Sequence, residues 1–276
     1  MNKNNFLIRF LYGTRMGRNV LEFMLKSGAD QWIVKFLCSP FSRVIIKPYI
    51  KKHQIPMQEF ERKKYNTFQE FFAREKKEME IDQNPTHLIS PCDGWLSIFP
   101  IREDSSFFIK GSHYQLQDFI QDKELSKEFH GGSCLIFRLC ASDYHHYCYI
   151  DDGFQGENHY IPGELHSVQP LACETYSVYT LNRRVWTLLA TENFGPVIQT
   201  EIGAFVVGGI SNEQENGQFF RGMEKGHFEL AGSTIVLLFQ KNQIRVLQQI
   251  REQLNEENEV RVKLGMWIGE KKKVED

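Results

Sequence analysis

The chain holds no run of about 18 nearly uncharged apolar residues, so none of its 276 residues falls in a segment that reads as a membrane-spanning helix. Its start, Met1-Asn2-Lys3-Asn4-Asn5, has neither the apolar h-region nor the small-residue cleavage site of a secretory signal, and a non-secreted protein is expected. Six cysteines (Cys38, Cys92, Cys134, Cys140, Cys148 and Cys173) form no C-x-x-C pair and no Cys/His cadence of the zinc type. A disulfide framework and a structural metal are therefore not expected, and reduced thiols in a cytosolic setting are. There is no fixed-period repeat and no low-complexity tract, which excludes solenoids and long flexible linkers.

What remains is a globular composition, 41% hydrophobic and 25% charged, long enough for one large domain or a core with an appendage. The charge is unevenly placed. Residues 1–52 carry ten Lys/Arg against Glu22 and Asp30, a net of +8, which leaves −10 for the rest of a chain whose total is −2. Phe6, Leu7, Phe10, Leu11, Leu21, Phe23, Met24, Trp32, Phe36 and Leu37 are interleaved with those bases. Two readings are open: a peripheral contact with an anionic membrane surface, where apolar burial and cationic attraction add, or a helical arm packed on its own domain. Nucleic acid is not an expected partner, because the segment is too apolar for a groove that tracks phosphates and no recognition motif is present.

The patterning predicts an α+β fold: an N-terminal helical region followed by a β-rich barrel or sandwich core. Helices are expected over 6–28 and 31–38, divided at Ser27-Gly28-Ala29-Asp30, and a charged helical pattern over 57–78 places Phe68, Phe71 and Phe72 on one face. Short β-type runs follow at 95–99, 107–110, 133–139, 146–150, 176–179, 184–190, 197–202, 204–207 and 234–239. The division drawn from this is 1–56, basic, amphipathic and membrane-facing, and 57–276, the catalytic β core.

Three segments carry chemistry. In Gly232-Ser233-Thr234, just before a strongly β run, a glycine ahead of a hydroxyl leaves its carbonyl open to attack by the Ser233 oxygen, although the tripeptide is equally a common strand entry. Ser90-Pro91-Cys92-Asp93-Gly94 sets Asp93 in a turn before a strand, where it is either turn chemistry or the carboxylate that orients a histidine. Asp143-Tyr144-His145-His146-Tyr147-Cys148 brings two histidines to a strand; neighbours there point to opposite faces, so one is expected to work and one to pack.

Taken in this order, the three segments resemble the phosphatidylserine decarboxylase family. The likeness extends to Phe71-Phe72-x-Arg74, Ile109-Lys110-Gly111, Pro162-Gly163-Glu164-Leu165-His166-Ser167-Val168, Phe194-Gly195-Pro196, Ile202-Gly203-Ala204 and Val207-Gly208. It implies cleavage between Gly232 and Ser233 into a β chain, 1–232, and an α chain, 233–276, held as a heterodimer or a higher oligomer. It further implies a covalent pyruvoyl cofactor made from Ser233, which decarboxylates phosphatidylserine to phosphatidylethanolamine through a Schiff base, at the cytoplasmic face of the cell membrane. The implied catalytic residues are Asp93, His145 and Ser233, with His146 as the fallback base and no metal. The sequence departs from the family at Cys148, which stands where many members carry the second histidine of His-x-x-His. Rival readings are a pyruvoyl decarboxylase of another amino-acid substrate, a non-processing lipid-binding relative, and a carrier-like β domain, for which no lysine hairpin stands out.

Overall fold

The structure is a computed structural model and describes residues 5–272 apart from 28, 62–63, 110–111, 169, 205–208 and 231–232. It opens with α1 (Asn5–Gly13), α2 (Arg15–Ser27) and α3 (Ala29–Leu37). The single helix expected over 6–28 is thus broken at Thr14. The Thr14 hydroxyl donates to the Phe10 carbonyl at 2.8 Å and accepts the Gly17 N–H at 2.9 Å, which caps α2. Gly17 permits the tight approach: a Cβ there would lie 1.8 Å from the Phe10 carbonyl oxygen. Leu11, Tyr12 and Leu21 are buried against the β core, and the Tyr12 hydroxyl accepts the Ser167 N–H at 2.8 Å.

Next come α4 (Arg43–His53) and α5 (Phe68–Phe72). The helical pattern over 57–78 reduces mainly to α5, whose first turn is capped by Thr67 accepting the Glu70 N–H. Beyond Phe72 the chain is extended, because Lys76 pairs with Phe60 in an antiparallel bridge. Phe68, Phe71 and Phe72 are core residues, as their spacing predicts.

The β region comprises β1 (His87–Ile89), β2 (Gly94–Pro100), β3 (Ser106–Ile109), β4 (Ser112–Gln115), β5 (Ser133–Leu139), β6 (His146–Cys148), β7 (Gly153–Ile161), β8 (Arg184–Thr191), β9 (Gly195–Gly203), β10 (Ile210–Asn212), β11 (Gly217–Phe219), β12 (Glu224–Phe228), β13 (Ser233–Phe239), β14 (Ile244–Val246), β15 (Val260–Val262) and β16 (Trp267–Lys271). Short helices α6 (Leu116–Ile120), α7 (Lys123–Lys127), α8 (Pro170–Thr175), α9 (Val178–Leu181) and α10 (Gln248–Glu252) fill the connections. α9 stands where a strand was expected over 176–179; a short apolar run reads the same way for either state, and here the Leu181 N–H closes a turn onto the Ser177 carbonyl.

Eight antiparallel strands form one sheet in the order β11-β7-β8-β9-β13-β5-β2-β15. Its end strands β11 and β15 do not pair with each other, so among the described residues it is an open sheet and not a closed barrel. β13 lies between β9 and β5 and is buried on both faces, which explains its unbroken apolar run. Ile235, Leu237 and Phe239 face one core with Leu135, Phe137 and Leu139; Val236 and Leu238 face the other with Cys134, Ile136 and Ile198.

A second sheet, β10-β12-β6, shares the first of these cores through Tyr147 and Phe228. Its anchor is polar: Lys225 of β12 reaches Glu201 of β9 at 3.0 Å and Asn212 at 3.2 Å, with both members of the ion pair fully buried. Burial lowers the Lys225 pKa against the pull of Glu201. Lys225→Met would leave the Glu201 carboxylate buried without its counter-charge, and is expected to cost about 3–5 kcal/mol of stability in urea denaturation. A loss below ~1 kcal/mol would show that the second sheet does not depend on this anchor.

Candidate active site

Ser233 is the first residue of β13, opposite Gly203 on β9 and Leu139 on β5. It shares a pleat face with Ile235 and Leu237, so its side chain points into the core beneath the second sheet. Ser233 is 1% exposed, and its Oγ has no hydrogen-bond partner among the described residues. A buried hydroxyl left unpaired costs free energy, about 1–3 kcal/mol. Gly232, the other side of the expected cleavage point, lies outside the described residues, as do Lys110, Gly111, Val207 and Gly208.

His145 precedes β6, and its carbonyl accepts the Phe228 N–H of β12. The imidazole is fully buried, 4.0 Å between ring centroids from Phe72. Its Nδ1 lies 2.9 Å from the Asp143 carbonyl oxygen, an acceptor, so Nδ1 carries the proton and Nε2 is left as a bare lone pair. Nε2 has no partner among the described residues. Burial, helped by the Arg74 guanidinium, pushes the pKa down to about 3, so the ring is neutral at ordinary pH.

Arg74 positions this histidine. It is 2% exposed, lies over the Phe60 ring at 4.5 Å, and donates from Nη2 to the Ser142 carbonyl at 2.9 Å and to the Asp143 carbonyl at 3.0 Å. The Asp143 carbonyl thus receives both Arg74 and His145. The Asp143 carboxylate in turn accepts the Cys140 N–H and the Arg261 guanidinium. Arg74 stands in the sequence likeness without an assigned role; nothing in the spacing couples it to residues 142–145.

Asp93 makes a different set of contacts from the one the sequence leads one to expect. Its carboxylate accepts Lys76 Nζ at 3.1 and 3.2 Å and the Leu264 N–H at 2.9 Å, with no hydrogen bond to His145. It acts on His145 by charge alone, favouring the protonated ring. Lys76, missed by sequence reasoning, also sits 4.8 Å from the Tyr144 ring centroid. A cleft of about 1070 Å³ runs along residues 58–59, 76–83 and 263–267; it includes Lys76 and Leu264 but neither His145 nor Ser233.

His146 packs elsewhere. Its ring stacks on Tyr144 and on His227, with Nδ1 2.6 Å from Glu224 Oε1 and Nε2 3.2 Å from the Ala73 carbonyl. Both nitrogens face acceptors, so neither is free to take a proton from a serine. The Cys148 thiol is buried and pushed up to about 12, chiefly by desolvation, so it stays protonated.

Fold and site together define a β-rich chain of the α+β class whose candidate reactive groups lie in its interior. The sequence pattern of the family described as phosphatidylserine decarboxylase matches residues 68–270. The chain is 40% identical over 269 residues to "Phosphatidylserine decarboxylase proenzyme 2" of Clostridium acetobutylicum, covering 96% of this chain and 92% of that one. It is 35% identical over 270 residues to "Phosphatidylserine decarboxylase proenzyme" of Clostridium kluyveri (95% and 91%), and 34% identical over 273 residues to the protein of that name from Fusobacterium nucleatum (96% and 91%). The chain belongs to the phosphatidylserine decarboxylase family.

Proposed function

We propose that the chain is a phosphatidylserine decarboxylase that makes its own cofactor, with Ser233 as the reacting residue and His145 as the base. The observation that carries this reading is two buried atoms, Ser233 Oγ and His145 Nε2, each without a hydrogen-bond partner among the described residues. A hydroxyl without an acceptor and an imidazole nitrogen without a donor are free to exchange a proton once the two come within hydrogen-bond reach. Arg74 and Asp93 set the charge around the ring, and Cys148 takes no part as a base. The two acceptor contacts of His146 favour His145 over it as the base.

In this scheme His145 Nε2 removes the Ser233 proton and Oγ attacks the Gly232 carbonyl carbon. The Gly232–Ser233 peptide bond breaks, giving an ester and a free amine. Loss of the Ser233 α-proton expels the carboxylate of residues 1–232 and leaves a dehydroalanine, which takes up water and loses ammonia to become pyruvoyl. The unsatisfied Ser233 hydroxyl at a strand entry fits this conversion. The pyruvoyl group, when formed, supplies a ketone that engages the substrate amine and withdraws electrons as carbon dioxide leaves. His145 is the residue proposed to return a proton to the α-carbon afterwards. The products of cleavage, 1–232 and 233–276, stay together because β13 is paired on both sides by strands of the longer chain.

Access to a lipid headgroup is proposed to come from the helical front. Among the described residues no helix is long and apolar enough to cross a membrane. Met16, Phe23, Trp32, Phe41 and Val44 are each at least 70% exposed, beside exposed Arg9, Arg15, Lys35, Arg43 and Lys47. Leu11, Tyr12 and Leu21 meanwhile pack on the core, so the front is both an arm of its own domain and an amphipathic surface suited to the cytoplasmic leaflet. Replacing Arg9, Arg15 and Arg43 together by glutamine is expected to weaken sedimentation with phosphatidylserine vesicles about 100-fold, on about 1 kcal/mol per cation. Unchanged partitioning would remove the front from membrane binding.

The decisive assay offers the purified protein phosphatidylserine vesicles and, separately, free serine. Carbon dioxide and phosphatidylethanolamine from vesicles alone are expected. Turnover of serine but not of vesicles would favour a pyruvoyl decarboxylase of a soluble amino acid. An intact, inactive chain that still binds vesicles would favour a non-processing lipid-binding relative.

A further inference from the structure

Outside the reacting pair, the second sheet gathers three ligand-type side chains that the proposed chemistry does not use. His146 Nδ1, Glu224 Oε1 and a ring nitrogen of His227 all lie within 4.8 Å of one another. His146 and His227 are directly opposed across β6 and β12, and Glu224 comes from the irregular start of β12, where the register shifts. Their rings stack at 4.9 Å.

We propose that this cluster is a binding site for a divalent first-row transition ion of the two-histidine, one-carboxylate type. Two observations point the same way. His146 Nε2 lies 3.2 Å from the Ala73 carbonyl, and a backbone carbonyl on the far nitrogen is the usual outer-shell partner that fixes a ligating imidazole, here leaving Nδ1 for a metal. His227 Nδ1 is buried without a hydrogen bond among the described residues, 4.0 Å from Glu224 Oε1 and 3.8 Å from Glu213 Oε1. A hydrogen-bonded His146–Glu224 pair accounts for the first of these and leaves the second unexplained; an ion accounts for both.

The distances are workable. Bonds of about 2.0–2.2 Å place tetrahedral ligand atoms roughly 3.4 Å apart. The 2.6 Å His146–Glu224 contact would open and the 4.0 Å His227–Glu224 contact would close. Glu224 and His227 are 37% and 25% exposed at their side chains, so the ion has a route in and Glu224 has room to move. Glu213, half exposed, or water would complete the shell. Two neutral imidazoles with a carboxylate suit Zn²⁺, Ni²⁺, Co²⁺ or Fe²⁺ better than a hard ion such as Mg²⁺. Occupancy would tie β6 to β12 and to the carbonyl at Ala73, whose chain neighbours Phe72 and Arg74 both bear on His145.

Zn²⁺ titration into the chelator-stripped full chain, followed by calorimetry and thermal unfolding, tests this without reference to catalysis. One saturable equivalent and a raised unfolding midpoint are expected. Glu224→Gln and His227→Gln, checked for folding by far-UV circular dichroism, should each weaken binding at least about 100-fold. Co²⁺ in the unmutated chain should give ligand-field bands without the intense near-ultraviolet thiolate transition, which separates this cluster from the free cysteines. No saturable binding, binding that both folded variants retain, or a thiolate band would each overturn the proposal.

Discussion

Ser233→Ala is expected to remain a single chain under denaturing intact-mass analysis, where the unmutated protein separates into 1–232 and 233–276, the latter starting in a pyruvoyl group. The variant should release no carbon dioxide from phosphatidylserine. The change removes one oxygen, and that oxygen is buried and unpartnered among the described residues. Its loss relieves an unsatisfied polar group, so the variant should be as stable as the parent or more so, by up to about 1–3 kcal/mol. That sign separates a chemical defect from a folding one. A stable, uncleaved alanine variant beside a cleaved parent assigns the nucleophile. Cleavage at the same bond in the alanine variant would end the proposed mechanism, and an uncleaved parent with a native melt would turn attention to a non-processing relative.

How legible the molecule is from its sequence depends on how local the determining interactions are. The 133–139 strand reads correctly to the residue, since a seven-residue β run between turn residues has little competition. The break at Thr14 is a single hydroxyl cap inside an otherwise continuous amphipathic pattern, which periodicity cannot see. Ser233 is legible because its chemistry needs a glycine–hydroxyl step ahead of a strand. The surroundings of His145 are not, because Arg74, Asp143 and Lys76 reach it, or the carboxylate near it, across turns and a β-bridge whose geometry is tertiary. The same holds for Glu201, which sits in the β-type run Val197–Ile202 yet is buried with Lys225 from another sheet. The proposed metal ligands are split between residues 146 and 224–227, so no cadence marks them.

His145 gives the sharper test of mechanism, because its environment fixes the sign of a pH effect. With a pKa near 3 the ring is deprotonated throughout ordinary buffers, and self-cleavage of freshly folded precursor is expected to be flat from about pH 5 to 8 instead of falling below pH 6.5. So weak a base is always available but gains little driving force, so cleavage should be slow. Removing it by His145→Ala should slow cleavage further, by about 10²–10⁴-fold, in mass-resolved time courses. Stability should move the other way with acid. Between about pH 3 and the ordinary value of 6.5 the unfolded chain binds a proton at residue 145 that the native chain refuses, so stability rises with pH across that window and is complete above it. In the uncleavable Ser233→Ala background, each pH unit below 6.5 should cost about 1.4 kcal/mol through this residue, and His145→Phe should remove that slope from urea denaturation. A cleavage rate that titrates near 6.5, or an acid slope that survives His145→Phe, would mean that the ring exchanges protons with solvent and that a buried, neutral His145 is not the base acting on Ser233.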